Sequence, residues 1–248
     1  IALASHEPHK LISRKEAQER IATSLHTALH HLPHDHGIMP HFLDARTMTP
    51  HGNDRRSTID SAWLLTGALW SAAFLQDPFL QKHAEELYQR VNWHSWSVGT
   101  PPLLCHGKGE RGIIPHCWDR LNGETAFLYL LAIGAAEEHA LPPESWMALY
   151  SLPEKEGDPA GENTDLGLFA YQYSMELIDS AAVNLRGPSL LVQAREAVEA
   201  NRRVCQKLSA QFTTYASFWG LSPGDGPGEG GEDCYRIYAP GGTCDGTA

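Results

Sequence analysis

The chain has 248 residues, with 19 Lys and Arg against 30 Asp and Glu and a formal net charge of −11, which argues against nucleic acid or an anionic membrane surface as a partner. At 42% hydrophobic, 9% aromatic and 20% charged residues, the composition is that of a folded, soluble protein with a sizeable core, not a disordered or fibrous one. Its most apolar stretch, Ala62 to Leu75, is shorter than the roughly 18 to 20 residues that a membrane-spanning helix needs, so no membrane insertion is expected.

Taken in chain order, Ser13-Arg14-Lys15-Glu16 reads as a capping box, followed by Ala17, Ile21, Leu25, Ala28, Leu29 and Leu32 at helical spacing up to Pro33. Ser57 to Asp60 opens a second helix whose stretch Ala62 to Leu75 is apolar on nearly every face, and such a helix is expected to be buried all round. Asp77-Pro78 starts a third, with Leu80, Ala84, Leu87 and Val91 in one stripe and Lys82, Glu85, Glu86 and Arg90 expected to face water. Glu124 to Gly134 is again apolar all round, Pro142 to Tyr150 is short and mixed, Phe169 to Ile178 is apolar and aromatic, and Ser189 to Leu208 is amphipathic. No convincing alternating strand pattern is present, and the last 30 or so residues are glycine-rich loop.

The class is therefore all-α. Wholly apolar helices alternating with one-sided helices are what two concentric helical layers require, which describes an α/α toroid. About seven helices are legible, whereas six hairpins need about twelve, so the chain is expected to be incomplete at its C-terminus.

The five cysteines include no Cys-x-x-Cys pair. Cys105 with Cys117, and Cys234 with Cys244, are close enough in sequence to bridge in an oxidising compartment, but free thiols are the expectation. Ala2-Leu3-Ala4-Ser5 carries little weight as the end of a secretory signal, since no basic segment precedes it.

Carboxylates offer the strongest chemistry. Glu124 stands in the first turn of an apolar helix after a loop holding Trp118, Asp119, Arg120 and Asn122. It is either a catalytic acid or a cap that favours the helix dipole, and an aromatic beside an acid is how sugar sites are commonly built. Asp60 is either the reciprocal half of a capping box with Ser57 or, with Asp54, Arg55 and Arg56, a ligand contact. Asp179, at the end of the Tyr171-Gln172-Tyr173-Ser174 helix, is badly placed for an anion with respect to the dipole, which invites a functional explanation. Asp225, in a Pro- and Gly-rich run after Trp219, competes with a turn-forming role.

Fourteen histidines, nine of them before residue 52 and including His26, His30, His31, His34 and His36, raise a metal-binding alternative, but no His-Glu-x-x-His or cysteine partner supports it. No Gly-x-Ser-x-Gly elbow, Walker loop or dinucleotide fingerprint is present. No metal and no cofactor is expected.

The strings HFLDARTMTPHGNDRRSTIDSAWLLTGAL, LYQRVNW, WDRLNGETAFLYLLAIG, LPPESW, AYQYSMELID, ANRRVC and FWGLSPGDGPG followed by YAPGG resemble the bacterial glucoamylase-like domain family, in order and spacing, from about residue 12 to the end. That family includes endo-β-1,2-glucanases of glycoside hydrolase family 144 and domains attached to cyclic β-1,2-glucan synthases, on an (α/α)6 toroid. The resemblance implies a single domain over 1–248, an oligo- or polysaccharide substrate, a periplasmic or secreted location, and inverting hydrolysis of a β-glucan by two carboxylates. Glu124 matches the family's acid. Asp60, Arg55 and Arg56 match a segment lining the sugar cleft, while Trp118, Asp119, Tyr171, Gln172, Tyr173, Asp179, Trp219 and Asp225 are candidate substrate contacts. The family's base lies C-terminal to Asp245-Gly246-Thr247, so the chain is expected to lack it. Met175, Leu177 and Ser180-Ala181 depart from the family pattern, and Gly228 to Cys234 resembles an insertion; these departures leave open a catalytically impaired, carbohydrate-binding or synthase-accessory domain.

Overall fold

A computed structural model describes residues 1–8, 10–51, 56–151, 162, 164–182, 189–226 and 234–247. The chain divides into two compact units: Ile1–Asp119 with Leu128–Ala148, and Arg120–Phe127 with Leu149–Ala248.

The first unit is built on α1 (Arg14–His30), α2 (Thr58–Leu75) and α3 (Pro78–Gln89). Each begins where its cap chemistry dictates. Ser13 accepts from Glu16 N at 3.0 Å, Ser57 accepts from Asp60 N at 3.4 Å, and Asp77 accepts from Phe79 N at 2.9 Å and Leu80 N at 3.2 Å with Pro78 in the first turn. The stripe Ala17, Ile21, Leu25 and Ala28 of α1 and the stripe Leu80, Ala84 and Leu87 of α3 are buried as their spacing predicts. Arg90 departs from expectation. Its guanidinium turns inward and donates to the carbonyls of Leu29 at 3.0 Å and Ala28 at 3.1 Å, closing the C-terminal end of α1, and burial lowers its pKa. Arg14 closes α2 in the same way by donating to Leu75 O.

The expectation that α2 is buried all round also needs correction. Its buried residues, Thr58, Ser61, Ala62, Leu65, Ala68, Ala72 and Leu75, fall on one face, and Trp63, Leu64 and Trp70 are only half-buried. Within this unit α2 packs on α3 and α1.

Directly before α2 lies a short strand, β1 (Arg56–Ser57), and after α3 come a 3₁₀ turn, Trp93–Trp96, with both tryptophans fully buried, and four more short strands, β2 (Ser97–Val98), β3 (Leu103–Leu104), β4 (Gly107–Gly109) and β5 (Gly112–Ile113); no sequence pattern announced any of the five. They form an antiparallel β1-β4-β5 sheet and a β2-β3 ribbon. At two or three residues each, they are below the length at which alternation can be read. Cys105 and Cys117 face each other across an antiparallel bridge and are joined by a disulfide, which corrects the expectation of free thiols for this pair. Cys205, Cys234 and Cys244 are free.

α4 (Gly123–Ile133) contributes its first turn to the second unit and the rest to the first; α5 (Glu144–Ser151) follows. The second unit continues with α6 (Phe169–Gln172), α7 (Leu190–Leu208), and the antiparallel pair β6 (Gly224–Asp225) and β7 (Tyr235–Arg236). α7 is amphipathic as expected: Leu190, Ala194 and Ala197 lie on its buried face, and Leu168 and Tyr171 pack with Ala194 and Ala197. A second cluster joins Cys205 to Tyr215, Leu221 and Tyr238. The expected Phe169 to Ile178 helix is a single α-turn that ends at Gln172. Beyond it the bonds run to the third residue back, Met175 N to Gln172 O at 3.0 Å and Leu177 N to Ser174 O at 3.0 Å. No helix among the described residues is long and apolar enough to cross a membrane.

Candidate active site

In the second unit, Asn122 opens α4: its side chain accepts from Thr125 N at 2.9 Å and its carbonyl from Ala126 N at 2.9 Å. That places Glu124 in the first turn, where the helix dipole favours an anion, with the capping bond to the third amide already supplied by Asn122. Glu124 is 8% exposed. The phenol of Tyr173 donates to its Oε1.

The first turn of α4 is approached closely. A Cβ on Gly123 would lie 2.6 Å from Ser174 Oγ, 2.8 Å from Met175 Cε and 3.1 Å from Tyr171 O, so a side chain there would force the 171–175 segment to shift. Gln193 of α7 donates to Leu121 O at 2.9 Å and steadies the loop before the helix. Arg120 pairs with Asp165.

The loop carrying Asp225 is held from α7. Asn201, 1% exposed, accepts from Leu221 N at 3.0 Å and donates to Leu221 O at 3.4 Å. Leu221 O also accepts from Leu168 N at 2.9 Å, and Ser222 Oγ from Phe169 N at 3.3 Å. Asp225 is exposed on β6 and registers with Tyr235 on β7. Burial raises the Tyr235 pKa, and the charges of Glu124 and Asp225 raise it further. Tyr235 itself is 58% exposed on β7, and nothing in the sequence beyond its neighbourhood to Tyr238-Ala239-Pro240 singled it out.

The other candidates of this unit separate. Tyr171 is 1% exposed and belongs to the core, its hydroxyl 3.1 Å from Thr164 Oγ1. Gln172 is exposed. Trp219 is 40% exposed, with the Arg202 guanidinium 5.8 Å from its ring centre. Asp179 does not end a helix, because α6 stops at Gln172; it is exposed and accepts from Ala182 N at 3.3 Å, which is ordinary turn chemistry. The helix dipole therefore does not bear on Asp179.

In the first unit, Trp118 is fixed from several directions. Its indole N–H donates to Thr58 Oγ1 at 3.0 Å, and its ring stacks on His106 at 4.1 Å between centres. Its backbone N donates to Leu104 O at 2.8 Å, and its carbonyl accepts from Tyr129 Oη at 3.0 Å. Tyr129 in turn accepts from Leu104 N at 3.0 Å. Burial, with the Asp119 charge adding to it, keeps that phenol protonated well beyond its ordinary range. The Cys105–Cys117 disulfide closes the same pair of segments. Half-buried Asp119 follows Trp118 directly.

Asp60 is exposed; it accepts from Ser57 Oγ and lies 3.5 Å from His41 Nε2, while the Ser57 N–H donates to Met39 O at 3.0 Å, so the reciprocal bond of a capping box is not made. Arg56 lines a cavity of about 560 Å³ together with Asp35, Pro50, Lys108, Gly109 and Glu110. Lys108 pairs with Asp35 at 2.9 Å and sits 4.4 Å over the Trp96 ring. Arg55, like Asp54, lies outside the described residues, as do Gly228 to Asp233. His26 stands 4.6 Å from His30 and 5.5 Å from His31, and among the described residues no three His, Cys, Asp or Glu side chains gather to hold a metal ion.

Among curated proteins none matches the sequence. A chain from Bacteroides uniformis, described as a "putative glucoamylase", shares the fold with a TM-score of 0.77 and 16% identity over 98% of this chain and 63% of its own. A "putative glucoamylase" from Bacteroides fragilis gives 0.73 and 20% over 96% and 60%. The endo-β-1,2-glucanase of Chitinophaga pinensis, solved with sophorotriose and glucose, gives 0.77 and 19% over 97% and 61%. The chain thus spans less than two thirds of the length of each of these structures. The sequence profile of the family described as "Glycoamylase: Putative glucoamylase" matches residues 115–248, which include Glu124, Tyr173 and Asp225, and the chain belongs to that family.

Proposed function

We propose that the chain is part of a glycoside hydrolase that cleaves a β-glucan, with β-1,2-linked chains as the leading substrate and Glu124 as the general acid, on an (α/α)6 toroid. The observation that carries this reading is the buried carboxyl of Glu124 in the first turn of α4, held by a phenol. A carboxylic acid partly withdrawn from water is the group that protonates a departing glycosidic oxygen, while a second carboxylate activates water on the opposite face of the sugar. The C. pinensis relative is an endo-β-1,2-glucanase, which supports the linkage. Trp118, Trp219, Gln172, Asp60, Arg56, Asp119 and Asp225 are proposed sugar contacts, with stacking and charge-assisted hydrogen bonds as their means.

The test is release of reducing ends by the full-length protein from β-1,2-, β-1,3-, β-1,4- and α-1,4-glucans. Release from the β-1,2 polymer is expected, with a fall of roughly 10²- to 10⁴-fold in Glu124→Gln. Undiminished turnover in that variant overturns the acid assignment. Met175, Leu177 and Ser180 favour one alternative, a domain that binds glucan without cutting it; sugar binding with no released ends on any polymer is its signature.

A further inference from the structure

Resting on the assignment of Glu124 as the acid, we propose that Tyr173 is a positioning residue of that acid and not a sugar contact: by donating to Oε1 it locks the Glu124 carboxyl in one orientation and favours its charged form. Three observations place it there. The Tyr173 hydroxyl donates to Glu124 Oε1. The Tyr173 backbone is pinned at the end of α6, with its N–H on Phe169 O at 3.1 Å and its ring tilted against Phe169 at 5.3 Å between centres. The residue after it, Ser174, is fully buried against Gly123, where no larger side chain fits. The register of the 171–175 segment on the first turn of α4 is therefore set by packing, and the phenol arrives at the carboxyl as a consequence.

A hydrogen bond donated to a carboxylate stabilises its charged form. Tyr235 on β7 feels the charge of Glu124, and Asp225 on β6 acts on the same phenol.

The experiment is Tyr173→Phe in the full-length protein, which keeps the ring against Phe169; near-ultraviolet circular dichroism and the melting temperature check that packing. Over a pH series on β-1,2-glucan, kcat is expected to fall about tenfold and KM to change less than about twofold. The basic limb of the kcat/KM profile is expected to move up by about one pH unit, the size of one charge-assisted hydrogen bond. In parallel, the Glu124 carboxyl is titrated by difference infrared spectroscopy without substrate, its band identified by its loss in Glu124→Gln. Its midpoint is expected to rise by the same amount.

A raised KM with an unmoved basic limb and an unmoved midpoint overturns the proposal and returns Tyr173 to the sugar contacts. The two readings fail separately. If no glucan is cleaved by the wild type yet the midpoint shifts, the hold on Glu124 stands and the hydrolase assignment falls. If Glu124→Gln abolishes cleavage but Tyr173→Phe leaves the midpoint in place, the hydrolase assignment stands and this proposal falls.

Discussion

The first unit is organised by three capped helices of 17, 18 and 12 residues, whereas the candidate acid of the second unit is organised by a one-turn helix, a run of turns and a pair of two-residue strands. In the first, repeated side-chain spacing does the work, and any one stripe residue is supported by others a turn away. In the second, single atoms in non-repeating places set the geometry: Asn122 Oδ1, Gly123 without a Cβ, Tyr173 Oη and the Asn201 amide. Regular elements supply the frame here while irregular segments position the candidate acid, as is general for sites carried on loops.

The largest stability effect expected outside the acid itself concerns the one covalent link in the first unit. Replacing Cys105 and Cys117 together by serine removes the constraint on a loop with a separation of 12 residues, with an expected loss of about 3 kcal/mol in denaturant unfolding. It should also free Trp118, read as a change in its fluorescence. If the double variant is as stable as the parent, the helices alone suffice and the contrast between the units sharpens.

A smaller loss, about 2 kcal/mol, is expected for Asn201→Ala, which leaves the Leu221 N–H and C=O short of a buried partner. Faster amide hydrogen exchange at Leu221, with little change at the α1 to α3 amides, is the local readout. Uniform acceleration across both units would break the comparison.

The smallest effect is electrostatic. The Lys108 hydrogen bond holds the Asp35 carboxyl below its ordinary value of 3.8. A depressed folded-state value stabilises above the unfolded pKa and is lost as pH falls through the folded one. Lys108→Met is therefore expected to cost a few tenths of a kcal/mol at pH 7, because the Asp35 side chain is 40% exposed. The difference from wild type should shrink as pH drops below about 4. A difference that persists at low pH would mean that Lys108 acts through its contact with Trp96.

How much of this could be read from residues alone follows the same division. The three helices of the first unit, their caps and α7 were legible because each rests on a local rule: a capping side chain, a proline in the first turn, a stripe at helical spacing. Glu124 was legible as an acid at a helix start. Its partner relation to Tyr173 was not, because the two are 49 residues apart and no local rule links them. Tyr171, Gln172 and Tyr173 looked alike in sequence, yet a single turn of helix sends the first into the core, the second to solvent and the third to the carboxyl. Arg90 read as solvated because charge predicts exposure, and only the location of the end of α1 shows why it turns inward. The short strands and the Cys105–Cys117 bridge depend on pairing between segments, which periodicity does not encode.

The inward turn of Arg90 has a consequence for how the chain is made. The carbonyls it closes belong to residues 61 and 62 positions earlier, so until Arg90 is made the last carbonyls of α1 have only water to accept from. Most of the stability of a helix in a protein comes from tertiary packing, and the partners of α1 are α2 and α3. The N-terminal helix is thus completed by a residue translated several seconds after it, at about 5 to 20 residues per second, and nascent chains arrested before Arg90 emerges should show α1 protected poorly against proteases.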